Sequence, residues 1–239
     1  MSSKKNRNKQ KEDYKEYRRQ QEEKQKRLNR RLMWITGAVV VAIVALAIIF
    51  RPQPSPVEFA YDQLPVLGDP NAPVKIVEFG DYKCPACKAF SEQIKPQLVQ
   101  DYIDKGLVSF YFMNLAFIGK DSFTAAYAAQ SVFHQNNDAF WKYYDALFKN
   151  QGNEYIEWAT PDFLVDLAKK EGLEIDFNKL QSDIESSTYA SEVDEHIAKA
   201  RSSGVSSTPT VFVNGVKIDN PFDYNALKAE IDKALNAEA

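Results

Sequence analysis

Cysteine and histidine are nearly missing from this chain, with two of each in 239 residues. A zinc site takes about four ligands, so one built on Cys84 and Cys87 would need both His134 and His196, which fall in separate helical segments far along the chain. That weighs against zinc. No compact acidic loop has the spacing of an EF-hand calcium site, and no internal repeat is visible. Residues 1–32 hold almost no apolar side chains, so this segment cannot bury a core and is expected to be a solvated or partly helical tail. Residues 33–50 hold no charged side chain at all.

These two absences expose a charge asymmetry. Residues 1–32 carry 13 basic and 5 acidic residues, a net +8, and the rest carries 17 basic and 28 acidic, a net −11. So mixed a charge run in the tail does not suit nucleic acid. Its value is topological, because Arg30 and Arg31 abut the uncharged run of 18 residues. Such a run spans about 27 Å as a helix, close to the hydrocarbon thickness of a bilayer. We expect a membrane anchor at 33–50, with the tail in the cytoplasm and the remainder outside. A cleaved signal peptide is the competing reading. The long charged region ahead of the run favours an uncleaved anchor, and no cysteine follows that could carry a lipid. Residues 51–56 are rich in proline and should form a short, stiff spacer. One acidic domain is then expected over 57–239.

Within that domain, residues 74–79 are mostly β-branched or aromatic and read as a buried strand. Gly80 and Asp81 break the run. Cys84 and Cys87 then open a helix, with Pro85 in its first turn, where a missing N–H costs nothing. Phe90, Ile94 and Leu98 place an apolar face on that helix, and Pro96 should kink it. Upstream, 58–64 could hold a short strand. Residues 107–115 read as a second buried strand, parallel to the first with the helix crossing between them. From 121 to about 204 the apolar spacing turns helical, predicting four or so helices inserted between two halves of a sheet. The aromatic stripe at 140–148 reads as core, and His134 and His196 as surface or satisfied helix residues. Residues 210–213 resume the sheet. Asn214-Gly215 marks a hairpin turn, 216–218 the returning strand, and 224–235 a closing helix.

A thiolate at a helix N-terminus meets unpaired N–H groups and the positive end of the helix dipole. Its pKa falls, and more of it is nucleophilic near neutral pH. A second cysteine one turn on is within disulfide reach. The pair can cycle between dithiol and disulfide and exchange with other proteins through a mixed disulfide. Cys84 is assigned as the attacking, more exposed sulfur and Cys87 as the more buried, resolving one. A static disulfide would stabilise little across so small a loop. Glu78, on an otherwise apolar strand face, should be buried with a raised pKa. It could relay a proton to or from Cys87, or pair with a lysine and serve only the fold.

The layout resembles the DsbA-like branch of the thioredoxin fold: α/β, with an inserted helical subdomain, here preceded by a transmembrane helix. The resemblance rests on Glu78-Phe79, Cys84-Pro85-Ala86-Cys87, Phe140-Trp141, Asp145-Ala146-Leu147-Phe148, and Gly204-Val205-Ser206-Ser207-Thr208-Pro209-Thr210 with Asn214-Gly215. It covers roughly 57–239, and the anchor makes the chain most similar to the membrane-tethered BdbD-type proteins of Gram-positive bacteria. The resemblance implies a cis Thr208-Pro209 bond in a loop against the cysteines, with Pro85, Ala86, Thr208 and Pro209 contacting an extended substrate. It implies oxidation of dithiols in exported or unfolded proteins, re-oxidation by an integral-membrane, quinone-linked partner, and Glu78 as the family's buried acid. It implies no cofactor beyond the Cys84–Cys87 disulfide itself, although some members hold a structural calcium. Two departures stand out: Ala86 replaces a histidine next to the second cysteine, and Ser207 stands where glycine is common. The readings carried forward are an extracytoplasmic oxidase, a reductase using the same chemistry, and a tethered chaperone-like module with structural cysteines.

Overall fold

The central element is a seven-residue strand with no solvent-facing side. In the computed structural model, which describes residues 2–49 and 55–237, five strands lie in the order β1-β3-β2-β4-β5. They are β1 (Val66–Leu67), β2 (Val74–Gly80), β3 (Val108–Asn114), β4 (Thr210–Val213) and β5 (Val216–Lys217). As the sequence predicts, β2 and β3 are parallel, in register from Val74↔Val108 to Gly80↔Asn114. β4 runs antiparallel on the other side of β2, and β1 and β5 are short antiparallel edges. Both faces of β2 are covered, which explains its nearly continuous apolar sequence. Val74 and Ile76 belong to one core with Phe110, Phe112, Val211 and Val213. Val77 and Phe79 belong to a second, with Tyr111, Met113 and Phe212. Each fully buried side chain of this size is worth about 1.5–3 kcal/mol of transfer free energy.

The helices are α1 (Ser2–Ile49), α2 (Pro85–Gln93), α3 (Lys95–Leu98), α4 (Lys120–Gln135), α5 (Asn137–Lys149), α6 (Pro161–Lys170), α7 (Phe177–Glu185), α8 (Ala190–Ser202) and α9 (Tyr224–Ala237). The chain divides into two units, Met1–Pro54 and Ser55–Ala239. The expected kink at Pro96 is a break: α2 ends at Gln93, α3 follows, and a π turn over Val99–Ile103 completes the crossover. The inserted helices number five, α4 to α8. At the hairpin, Asn214 and Gly215 both take positive φ, 44° and 77°, as a two-residue turn between twisted strands requires.

One expected strand is absent. Residues 58–64 form coil and a single 3-10 turn at Tyr61–Gln63. Phe59 and Leu64 are nevertheless buried, in the second core. The edge pairing falls to Val66 and Leu67 instead, where the Asn137 side chain brackets Val66 by accepting from its N–H and donating to its carbonyl.

The N-terminal unit is one long helix through the charged tail and into the uncharged run. Part of the expected anchor lies outside the described residues, namely Phe50 and the side chains at 45 and 47–49. Residues 51–54 of the expected spacer lie outside them too. Among the described residues no helix is long and apolar enough to cross a membrane.

Candidate active site

The cysteine turn is built from β2 outward. Asp81 follows the strand and is 2% exposed. Its Oδ1 accepts from Lys83 N at 2.8 Å, and its Oδ2 accepts from the N–H groups of Phe117 and Ile118 at 3.0 and 3.2 Å. Asp81 O accepts from Cys84 N at 2.9 Å. One carboxylate therefore fixes the turn and ties it to the loop after β3. Lys83 is buried beside it and pairs with Asp121 at 2.5 Å. Its Nζ also donates to Ile156 O at 3.1 Å, while Asp121 Oδ2 accepts from Trp158 N and Ala159 N. Gln151 Nε2 donates to Tyr82 O and Cys84 O, at 2.8 and 3.0 Å. The loop after α5 is thus fastened to the cysteine turn at both of its ends.

Cys84 is the N-cap of α2, and its Sγ accepts from Cys87 N at 3.4 Å. Pro85 takes the first helical position and is exposed, Ala86 is half-buried, and Cys87 is sealed. Both cysteines are free and buried, Cys84 as a residue 7% exposed and Cys87 0%. The Thr208-Pro209 bond is cis, Pro209 is buried, and Thr208 O accepts from Cys84 Sγ at 3.4 Å. Four residues that the sequence places 125 positions apart at most, Cys84, Cys87, Thr208 and Pro209, are therefore brought together.

The sulfurs are tuned in opposite directions. Cys84 is lowered to about 6: the Cys87 thiol donates to it, the Thr208 side chain and the N–H groups of Cys87 and Ala86 add to this, and partial burial opposes it. Cys87 is pushed well above its ordinary range by burial, by donating to Cys84, and by the nearby Glu78 and Cys84 charges. Near neutral pH one sulfur is thiolate and the other thiol.

Glu78 is fully buried on β2 between Phe112 of β3 and Val211 of β4. Burial pushes it up to about 8; a hydrogen bond from Tyr144 and the charge of Lys95 oppose the rise, and Cys84 and Asp145 add to it. Tyr144 OH donates to Glu78 Oε2 at 2.6 Å. Of the two readings of Glu78, a direct lysine pair is not among the salt bridges of the described residues: Lys95 Nζ bonds Asp145 at 2.5 Å and acts on Glu78 through its charge.

The histidines stand elsewhere. His196 is buried on α8, accepts from Asn114 N at 3.2 Å through Nδ1, and is lowered to about 4 by burial. His134 pairs with Glu192 at 2.7 Å and stacks on Tyr189. Among the described residues no three His, Cys, Asp or Glu side chains gather as a metal site.

Sequence reasoning missed Asp81, Lys83, Asp121, Lys95, Tyr144 and Gln151. One of them carried a signal: a tyrosine in a buried helix stripe must find a partner for its hydroxyl, and Glu78 was the buried acceptor already in view.

A thioredoxin family profile matches residues 62–233. Disulfide bond formation protein D of Bacillus subtilis is 41% identical over 174 residues, 73% of this chain and 78% of that protein. The chain belongs to the thioredoxin family, in its disulfide bond formation protein D branch. The crystal structure of oxidised BdbD from Bacillus subtilis superposes with a TM-score of 0.73 at 39% identity, covering 77% of this chain and all of that one. Chlamydia trachomatis DsbA does so with a TM-score of 0.66 at 25% identity, covering 78% and 97%. The DsbA-like thioredoxin fold with its helical insert is therefore the fold of this chain.

Proposed function

We propose that the protein is a thiol–disulfide oxidoreductase that introduces disulfides into exported proteins. What carries this is the geometry of two sulfurs in one helical turn: Cys84 caps α2 and lies 3.4 Å from Thr208 O beside the cis proline, with Cys87 sealed behind it, an arrangement that lowers the first thiol to about 6 and raises the second. In the oxidised protein a client thiolate attacks Cys84 Sγ. A client–Cys84 bond forms, the Cys84–Cys87 bond breaks, and its electron pair leaves on Cys87. A second client thiolate then attacks the client sulfur, and Cys84 departs as thiolate. The client loses two electrons and the cysteine pair gains them.

A low Cys84 pKa favours this direction, because stabilising the thiolate stabilises the reduced protein and makes its disulfide more oxidising. Thr208 O and the buried Pro209 line the approach to Cys84, and Pro85 and Ala86 stand beside it on the helix, so these four form the client contact. Glu78 supplies the proton that Cys87 needs on leaving, since a carboxyl at about 8 still holds one at neutral pH. The partners are proteins with free thiols, and an integral-membrane, quinone-linked oxidase that restores the disulfide. The uncharged run at 33–50 is read as a single-pass anchor with the tail inside and the cysteines outside. Its support is the basic flank at Arg30 and Arg31 and the exposure of Met33, Trp34 and Ile35, at 70, 75 and 60%.

Trapping tests the reading. Cys87→Ala in the full chain is expected to accumulate mixed disulfides between Cys84 and exported proteins. Adducts with cytosolic proteins alone, or adducts that persist in a Cys84→Ser control, would refute it.

A further inference from the structure

We propose that Tyr144 is a positioning residue for this chemistry: by donating to one oxygen of Glu78 it assigns the transferable proton to the other, and together with Lys95 it holds the charge left when that proton goes to Cys87. The inference rests on the reading of Cys84 and Cys87 as a redox pair.

The argument begins with the two oxygens of one carboxyl. Oε2 accepts from Tyr144 OH at 2.6 Å. Oε1 is buried and has no hydrogen-bond partner among the described residues. A neutral carboxyl carries one proton, and an oxygen already accepting a short bond from a tyrosine is the poorer place for it. The proton therefore sits on Oε1, where no protein group competes for it.

When the Cys84–Cys87 bond breaks, the electron pair arrives on Cys87 Sγ, in a site that disfavours a thiolate. The Oε1 proton moves to that sulfur, and Glu78 becomes a carboxylate in the core. An isolated carboxylate there is costly. Tyr144 strengthens its donation to Oε2, and Lys95 stands close by. Lys95 Nζ lies 4.7 Å from the centroid of the Tyr144 ring and 5.6 Å from that of Trp141, and it is fixed there by Asp145. A cation over a phenol ring makes the hydroxyl a better donor. Lys95 is 5% exposed although lysines seldom are, and it sits on α3 just ahead of Pro96, next to the break in the helix.

The charged and titratable groups facing Glu78 come from three elements and one turn: Tyr144 and Asp145 on α5, Lys95 on α3, Cys84 and Cys87 at the start of α2, and Tyr82. The neighbouring strands contribute only Phe112 and Val211. Tyr144 and Lys95 pull Glu78 toward ionisation, and Cys84 and Asp145 oppose it. Removing either of these two should leave Glu78 holding its proton to higher pH.

The test uses the oxidised full chain and measures how fast dithiothreitol opens the disulfide across the pH range through which Glu78 ionises, with each rate divided by the thiolate concentration. In the parent protein the corrected rate should fall as Glu78 ionises. In Tyr144→Phe the fall should move up by about one pH unit, and in Lys95→Met it should move the same way. Neither substitution should move anything once Glu78→Gln is present. A purely structural role for Tyr144 would change the rate and leave the midpoint in place. The proposal is overturned if the midpoint is unmoved in Tyr144→Phe, or if the same shift appears in the Glu78→Gln background. Should Tyr144→Phe not fold, Lys95→Met decides alone. If dithiothreitol does not open the disulfide in any variant, it is the redox-pair reading that fails.

Discussion

Two parts of the Ser55–Ala239 unit meet at the cysteines and contribute different things. The sheet and its turns supply the groups gathered at the cysteine turn: Glu78 from β2, Cys84 and Cys87 at the start of α2, and the Thr208 carbonyl ahead of β4. The insert and its loops supply atoms that hold and tune them: Tyr144 on the acid, Gln151 on the carbonyls of Tyr82 and Cys84, and Asp121 on Lys83. The reactive set can be recognised by residue type and spacing. The tuning set consists of ordinary residues that matter only for where the insert places them. Two proteins could therefore share the cysteine motif and differ in chemistry through the insert alone.

The most forceful way to break this comparison is to cut the tie between the two parts. Lys83 and Asp121 are 3% and 2% exposed, and removing one partner of a buried pair costs about 3–5 kcal/mol because the other charge is stranded. Lys83→Met should lose stability on that scale in urea unfolding. It should also loosen both rim loops, seen as faster amide exchange at Phe117, Ile118, Trp158 and Ala159. Unchanged stability would mean that the insert docks without this pair.

A smaller effect sharpens the comparison from the sheet side. Glu78 rises from 4.5 to about 8 on folding, so the folded chain keeps a proton that the unfolded chain releases. The associated stability is complete below pH 4.5 and is lost as pH climbs to 8. Glutamine never ionises. Reduced Glu78→Gln should therefore gain on the parent protein as pH rises through that window, by a few kcal/mol at its upper end. A difference that does not vary with pH would show that Glu78 is already ionised in the fold.

Where the sequence was legible follows the same division. β-branched and aromatic runs marked β2 and β3, whose side chains are buried on both faces. Asn214-Gly215 marked the hairpin because few other residues accept two successive positive φ values. Cys84 and Cys87 declared themselves by spacing and by Pro85. The run at 58–64 misled, because Phe59, Tyr61 and Leu64 look like strand residues and yet serve as plugs for the second core, with the backbone in a 3-10 turn. Lys95 gave no warning, since one lysine beside the apolar stripe of Phe90, Ile94 and Leu98 reads as a solvated position. Only the fold of α5 against α3 makes it a buried cation. Asp81 and Asp121 look like turn and N-terminal helix residues, and they are, but their second oxygens reach backbone N–H groups 36 to 38 positions away. No local pattern encodes that reach.

The most direct test of the account is the pH dependence of alkylation in the reduced full chain, with each cysteine read separately by mass. The account predicts that iodoacetamide modifies Cys84, with a midpoint near pH 6, and leaves Cys87 unmodified until the protein unfolds. Equal labelling of both sulfurs, or a Cys84 midpoint at the ordinary thiol value of 9, would contradict it.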